Sequence, residues 1–184
     1  MQCRYISDLH LYDIYSIDWR PKFNNLDLYA ANLIDSWNES TEDNDIVIIG
    51  GDIGHYCPKT LEVLSRLKGI KILVIGNHDL AWGSKLYTCG LFSGIHEVIE
   101  KNNIHIQHIP ETYTGNCQFY IHGHHHRYDM PGMQNVLSQY ARDTYRLNCA
   151  ADMNNNRPCT IQELILNKEV NLERYRERGI LQEV

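Results

Sequence analysis

The sequence predicts an α/β chain built on two β-sheets, and three observations carry that expectation. Strand-like and helix-like segments alternate through the first half. Each of the three strands there stops at a polar cluster. The second half is written in short strands separated by polar turns, which suggests a second sheet packed against the first.

Residues 3–7, "CRYIS", read as a short strand that stops at Asp8. Residues 25–38 carry apolar side chains at 26, 29, 30, 33, 34 and 37, the spacing of a helix with one buried face. Residues 45–50, "DIVIIG", form a β-branched apolar run closed by Gly50 and Gly51, as expected of a strand covered on both faces. "PKTLEVLSRLKG" opens on Pro58 and closes on Gly69, the usual start and stop residues of a helix. Residues 70–76, "IKILVIG", are a second buried strand ending in glycine. Strands joined by helices in an open sheet run parallel, so their C-terminal ends share one edge, where such sheets bind ligands. Asp8-x-His10, Gly51-Asp52 and Gly76-Asn77-His78-Asp79 are therefore expected side by side.

"HEVIEK", "IHIQHI", "CQFYIHG" and "TYRLNC" supply the short strands of the second half. Thr160-Ile161-Gln162-Glu163 is a capping-box signature that opens a last helix through about residue 178. No internal repeat, low-complexity tract or linker interrupts the 184 residues, which read as one domain over residues 1–184.

Composition narrows the function classes. A net charge of -6 argues against a broad basic surface for nucleic acid. Charged residues interrupt the N-terminus before a secretory core could form, and no apolar run reaches membrane-spanning length, so the chain reads as cytoplasmic and without a membrane partner. The six cysteines contain no C-x-x-C pair and read as free thiols.

The polar residues that follow strands are Asp8, His10, Asp52, Asn77, His78, His108, His124 and His126. Carboxylate, amide and imidazole donors without cysteine suit Mn, Fe, Zn or Co, and argue against a structural zinc site. "HGHHH" at residues 122–126 follows the apolar "QFYI", which makes it the end of a buried strand rather than a solvated turn. His105 competes with His108 as a donor, and the residues alone leave both open.

Taken in order, "SDLH", "GGDIG", "GNHD", "QHIP" and "GHHH" resemble the motifs of the calcineurin-like metallophosphoesterase family, and the match spans residues 7–126. The tail "LNCAADMNNNRPCTIQELI" is similar to the closing segment of its small bacterial and phage members. The resemblance implies two packed sheets flanked by helices, an αββα sandwich, holding two divalent transition-metal ions: Mn first, with Fe, Zn, Co or Ni as alternatives. It implies Asp8, His10 and His126 on one ion, Asn77, His108 and His124 on the other, and Asp52 bridging both. It places His78 facing the phosphate as general acid, with Asp79 fixing its loop. The implied reaction is hydrolysis of a phosphomonoester or phosphodiester by a hydroxide bridging the two ions. The short chain leaves no room for a large cap domain, so an open site is expected, able to accept nucleotides, small phosphodiesters or phosphoproteins, with a small ester as the expected partner.

His55, Arg127 and Tyr128 are further candidates for substrate contact. His122 is expected just behind the ligands, and His125 is expected to be structural or to face substrate. Two other readings stand beside this one. A non-catalytic metal-binding scaffold on the same fold would have lost ligand or acid histidines, and this chain keeps them all. A nuclease acting on DNA or RNA would show a basic groove, which the composition does not suggest.

Overall fold

In the computed structural model, which describes residues 1–20, 22–110, 116–129 and 132–181, two four-stranded sheets pack together with helices on their outer sides. The first sheet holds β1 (Cys3–Ile6), β2 (Ile46–Ile49), β3 (Ile70–Val74) and β4 (Gly94–His96), in that order and all parallel. Ile6, Ile49 and Leu73 lie in one register row. The segments that follow them therefore leave the sheet at a common edge, as the alternation of strands and helices predicts.

The second sheet holds β5 (Ile99–Lys101), β6 (Ile104–Ile106), β7 (Phe119–His122) and β8 (Arg146–Asn148). β5 and β6 are antiparallel, joined by a turn in which Asn102 and Asn103 both take positive φ, the backbone of a tight hairpin. β6, β7 and β8 run parallel with Ile106, Ile121 and Leu147 in one row, so this sheet too has a common exit edge.

Strand alternation divides the apolar side chains between two layers. Tyr5, Ile48 and Val74 of the first sheet meet Ile106, Ile121 and Leu147 of the second to form the layer between the sheets. Val47, Ile49 and Leu73 point the other way, beneath helices α1 (Leu26–Ser40) and α2 (Pro58–Arg66). Asn25 caps α1 by accepting the Leu28 N–H at 2.8 Å, and the helix buries Tyr29, Ala30, Leu33, Ile34 and Trp37, the face its spacing announces. A fully buried side chain of the size of Leu33 contributes about 1.5–3 kcal/mol.

Three features depart from the sequence expectation. "HEVIEK" is not one strand: the chain pairs with β3 through His96, bends at Glu97 and Val98, and enters the second sheet at Ile99. Helix α4 (Gln134–Arg142) was not expected, although Val136, Leu137, Tyr140 and Ala141 give it an apolar face. A one-turn helix, α3 (Lys85–Thr88), lies in the connection between β3 and β4. The last helix, α5 (Ile161–Glu177), begins at the expected capping box, with Thr160 Oγ1 accepting the Glu163 N–H and the Glu163 carboxylate accepting the Thr160 N–H. All six cysteines are free. Among the described residues, no helix is long and apolar enough to cross a membrane.

The sheets are stitched together beside their exit edges. Ser7 N–H donates to Cys149 O at 2.9 Å, and Ala151 N–H returns to Ser7 O at 2.9 Å. This bridge sets Asp8, at the end of β1, against the segment that leaves β8.

Candidate metal centre

The loops leaving both sheets turn sharply and bring six of the eight strand-end residues named above into donor groups. Asp8, His10, Asp52 and His124 adopt φ of 57°, 42°, 57° and 67°. Non-glycine residues rarely enter this left-handed region, and those that do gather at functional sites. Two glycines permit the close approach. A Cβ on Gly76 would collide with the Asp52 carboxylate, and one on Gly123 with the Asp8 carboxylate and the Ser7 hydroxyl.

Asp79 holds the first-sheet loops together. Its carboxylate accepts the N–H groups of Asp52 at 2.9 Å, Ile53 at 2.8 Å and Gly76 at 2.8 Å. Burial raises its pKa to about 6 despite these donors. Asp79 thus fixes the loop, as expected. The Asp52 Oδ1 in turn accepts the His78 N–H at 2.9 Å, which seats His78 at the rim with its side chain exposed.

Three histidines share one orientation. His10 Nδ1 lies 3.2 Å from Asp13 Oδ2, His108 Nδ1 2.7 Å from Gly50 O, and His126 Nδ1 2.7 Å from Asp152 Oδ2. An acceptor at Nδ1 holds the proton there and leaves Nε2 as the donor atom, which is how proteins aim imidazoles at metals. The three Nε2 atoms point at two buried carboxylates: His10 3.6 Å and His108 3.1 Å from Asp52 Oδ2, and His126 3.4 Å from Asp8 Oδ1. His108 Nε2 is fully buried and, despite that short distance, lacks the alignment of a hydrogen bond among the described residues.

Among the described residues, donor atoms converge within 4.8 Å of one another in three overlapping groups: Asp8, His10 and His126; Asp8, Asp52 and His108; and His10, Asp13 and His78. Two carboxylates this close and this deeply buried are costly without a countercharge. Burial would raise the pKa of Asp52, yet His108, the His78 N–H and His10 hold it at about 2. Burial opposes a charge on His108 as well, but Asp52 and Asp8 outweigh it and push its pKa up to about 9. His10 goes the other way, to about 4, through burial and the neighbouring His126. The donor set, the buried carboxylates and the inward Nε2 atoms fit a metal ion.

His124 lies outside these Asp/His groups, and Asn77 offers an amide in place of a carboxylate or imidazole. Asn77 is exposed beside His78. The His124 N–H donates to the Asp8 carboxylate, and its ring lies 5.4 Å from that of His108. His105 faces Glu100, Gln107 and Tyr120 on the other side of β6, so it does not compete with His108. His122 is wholly buried against Tyr120, His125 and Tyr140, and burial holds its pKa well below the ordinary value. His125 is buried beside it, with its carbonyl accepting Asn148 Nδ2 at 2.6 Å.

The expected substrate contact at Tyr128 is corrected by the structure. Tyr128 is 0% exposed, stacked on Tyr140 at 4.8 Å, with its hydroxyl meeting Asn148. The chain bends after His126, so Tyr128 enters the cluster under α4 and α5 instead of the site. His55 is exposed at the rim, 3.8 Å from Asp13, and Arg127 is partly exposed and paired to Asp129 at 2.8 Å.

Sequence reasoning did not assign Asp13, Arg20 or Asp152. Asp152 orients His126 and also accepts Arg20 Nε at 2.6 Å, while Arg20 Nη2 donates to Asp8 O at 2.8 Å. Arg20 is 4% exposed, so this cation ties the β1 loop to the β8 loop from inside. Asp13 stands three residues after His10, and Asp152 lies in the tail "AADMNNN". Both carboxylates were visible as residues, and only the fold shows what they hold.

The fold and the donor set together define a two-sheet α/β protein with buried Asp and His groups able to hold a metal ion. No family profile and no curated protein matches the chain. Among solved structures, it is similar to the protein of unknown function AQ665 from Aquifex aeolicus, with a TM-score of 0.66 and 21% identity over 89% of this chain and 97% of that one. This likeness is one of fold.

Proposed function

We propose that the protein is a metal-dependent phosphoesterase that hydrolyses a phosphomonoester or phosphodiester using two divalent ions, manganese being the first candidate. One observation carries this reading: His10, His108 and His126 are each anchored at Nδ1 and turn Nε2 toward the buried pair Asp8 and Asp52. Asp8, His10 and His126 would hold one ion, and His108 with Asn77 and His124 the other. Asp52 Oδ2 is 3.6 Å from His10 Nε2 and 3.1 Å from His108 Nε2, which supports assigning Asp52 to both sets. Such ions, when bound, acidify a water and neutralise phosphoryl charge.

The chain's own residues supply the rest. Asp79 and the Asp52 carboxylate fix the loop that carries His78. The His78 ring sits edge-on to His10, with 5.0 Å between centroids, and is open to solvent, so it can donate a proton to a departing alkoxide. Asp152 and Asp13 keep His126 and His10 in the tautomer that leaves Nε2 without a proton.

The test is metal analysis joined to turnover of paired chromogenic monoester and diester substrates with added manganese. Asp52→Asn is expected to lose metal, and His78→Gln to keep metal and lose turnover. A metal-replete protein inert toward every ester would instead indicate a binding scaffold.

A further inference from the structure

Among the described residues, two clefts share the Asp/His cluster, one through His10 and the other through His126. One, of about 320 Å³, is lined by His10, His55, Tyr56, His78, Trp82 and Lys85. The Tyr56 ring there is braced edge-on by Trp82 at 5.0 Å, with Lys85 Nζ 4.5 Å from its centre. The other, of about 400 Å³, is lined by Lys22, His126, Arg127, Asp152, Arg174 and Arg178. The His10 and His126 rings, one in each cleft, are 4.8 Å apart, so the candidate metal ligands themselves form the wall between them.

The clefts differ in charge. In the second, Arg127 and Arg178 both bind Asp129, at 2.8 Å each, and Asp152 is engaged by Arg20 and His126. Lys22 and Arg174 have no carboxylate partner among the described residues, which leaves uncompensated positive charge in a chain whose net charge is -6. Cations placed this way favour an anionic group on the ligand. The Tyr56 cleft instead offers an aromatic wall, the Tyr56 ring with Lys85 over one face and Trp82 edge-on, suited to a flat or aromatic alcohol.

We infer, resting on the phosphoesterase reading above, that the substrate is an asymmetric phosphodiester. Its departing alcohol lies in the Tyr56 cleft beside His78, and its retained substituent carries a second anionic group between Lys22 and Arg174. A monoester has one substituent and would leave one cleft unfilled. In the reaction, water supplies the oxygen that bonds to phosphorus, and the P–O bond to the departing alcohol breaks with its electron pair. The His78 proton goes to that oxygen, and the proton released by water restores His78. The products are the alcohol and a phosphate monoester that keeps the second anionic group.

The test compares three substrates on the manganese-loaded full chain: nitrophenyl phosphate, the nitrophenyl diester of a nucleoside phosphate, and the same diester with a second phosphate on the sugar. The double variant Lys22→Ala/Arg174→Ala is expected to lower kcat/KM for the last at least about tenfold, leaving the other two within about twofold. Equal losses on all three substrates, or no loss on any, overturn the assignment. Calorimetric titration with the nucleoside bisphosphate product separates the two readings. Product binding weakened about tenfold by the double variant supports the basic cleft even if no ester is turned over, in which case the phosphoesterase reading alone fails. Identical titrations for wild type and variant sink the cleft assignment whatever the turnover. Stronger competition by a single-stranded oligonucleotide than by the bisphosphate also overturns it, in favour of a nuclease.

Discussion

The two sheets contribute unlike halves of the candidate centre. The first sheet delivers both carboxylates, Asp8 and Asp52, together with the His10 imidazole, on backbone bent into the left-handed region shortly after a strand. The second delivers imidazoles, His108 and His126, aimed from behind by the Gly50 carbonyl and by Asp152. The carboxylate half is fixed locally: Asp79 clamps three backbone N–H groups of its own sheet's loops. The imidazole half is fixed across the molecule, since the acceptor for His108 lies 58 residues away in the first sheet. Asp52 is thus held by loops of its own sheet, whereas His108 is aimed by a partner in the other sheet.

That contrast can be broken from either side, and the largest effect is expected in the carboxylate half. Asp52→Asn removes the carboxylate that faces both His10 and His108, and should weaken manganese binding by more than about a hundredfold in a calorimetric titration. Asp79→Ala leaves three buried N–H groups without an acceptor and should lower stability by about 2–4 kcal/mol in urea unfolding. An unchanged midpoint would show that the loops hold without the clamp.

In the imidazole half, Asp152→Asn keeps the shape but loses the charge that orients His126 and pairs with Arg20. Metal affinity should fall by about 10–100-fold while the fold persists by circular dichroism. Equal affinity would mean that His126 needs no support. The smallest effect is expected away from both halves. The Asp45 carboxylate accepts the Gln2 and Glu42 N–H groups and pairs with Arg4, which holds its pKa at about 2. A carboxyl depressed in the folded state stabilises above its unfolded pKa, near about 3.9, and that stability fades as pH falls toward its folded value. Asp45→Asn should therefore flatten this part of the acid limb in a pH series of thermal melts. A limb of unchanged slope would remove Asp45 from the account.

The legibility of the sequence follows the same division. The parallel exit edge of the first sheet was readable because glycine and aspartate punctuate β-branched runs, as at Gly50, Gly51 and Asp52. Helix α5 was readable from its capping box. Helix α4 was missed because its apolar residues are few and the flanking segments read as short strands and turns. Tyr128 was misplaced because nothing local marks the bend after His126 that buries it under Tyr140. His122 is not carried on into the site with His124 and His126, because the chain leaves the extended form after β7 and His124 takes φ of 67°. Asp13 and Asp152 were unassigned because an orienting carboxylate has no spacing rule: it needs only to arrive at Nδ1.

Anomalous diffraction from crystals grown with manganese tests the central claim most directly. The account predicts two peaks flanking the Asp52 carboxylate, one beside Asp8, His10 and His126 and the other beside His108. No peak in the cluster, or a single peak among His10, Asp13 and His78, would contradict it.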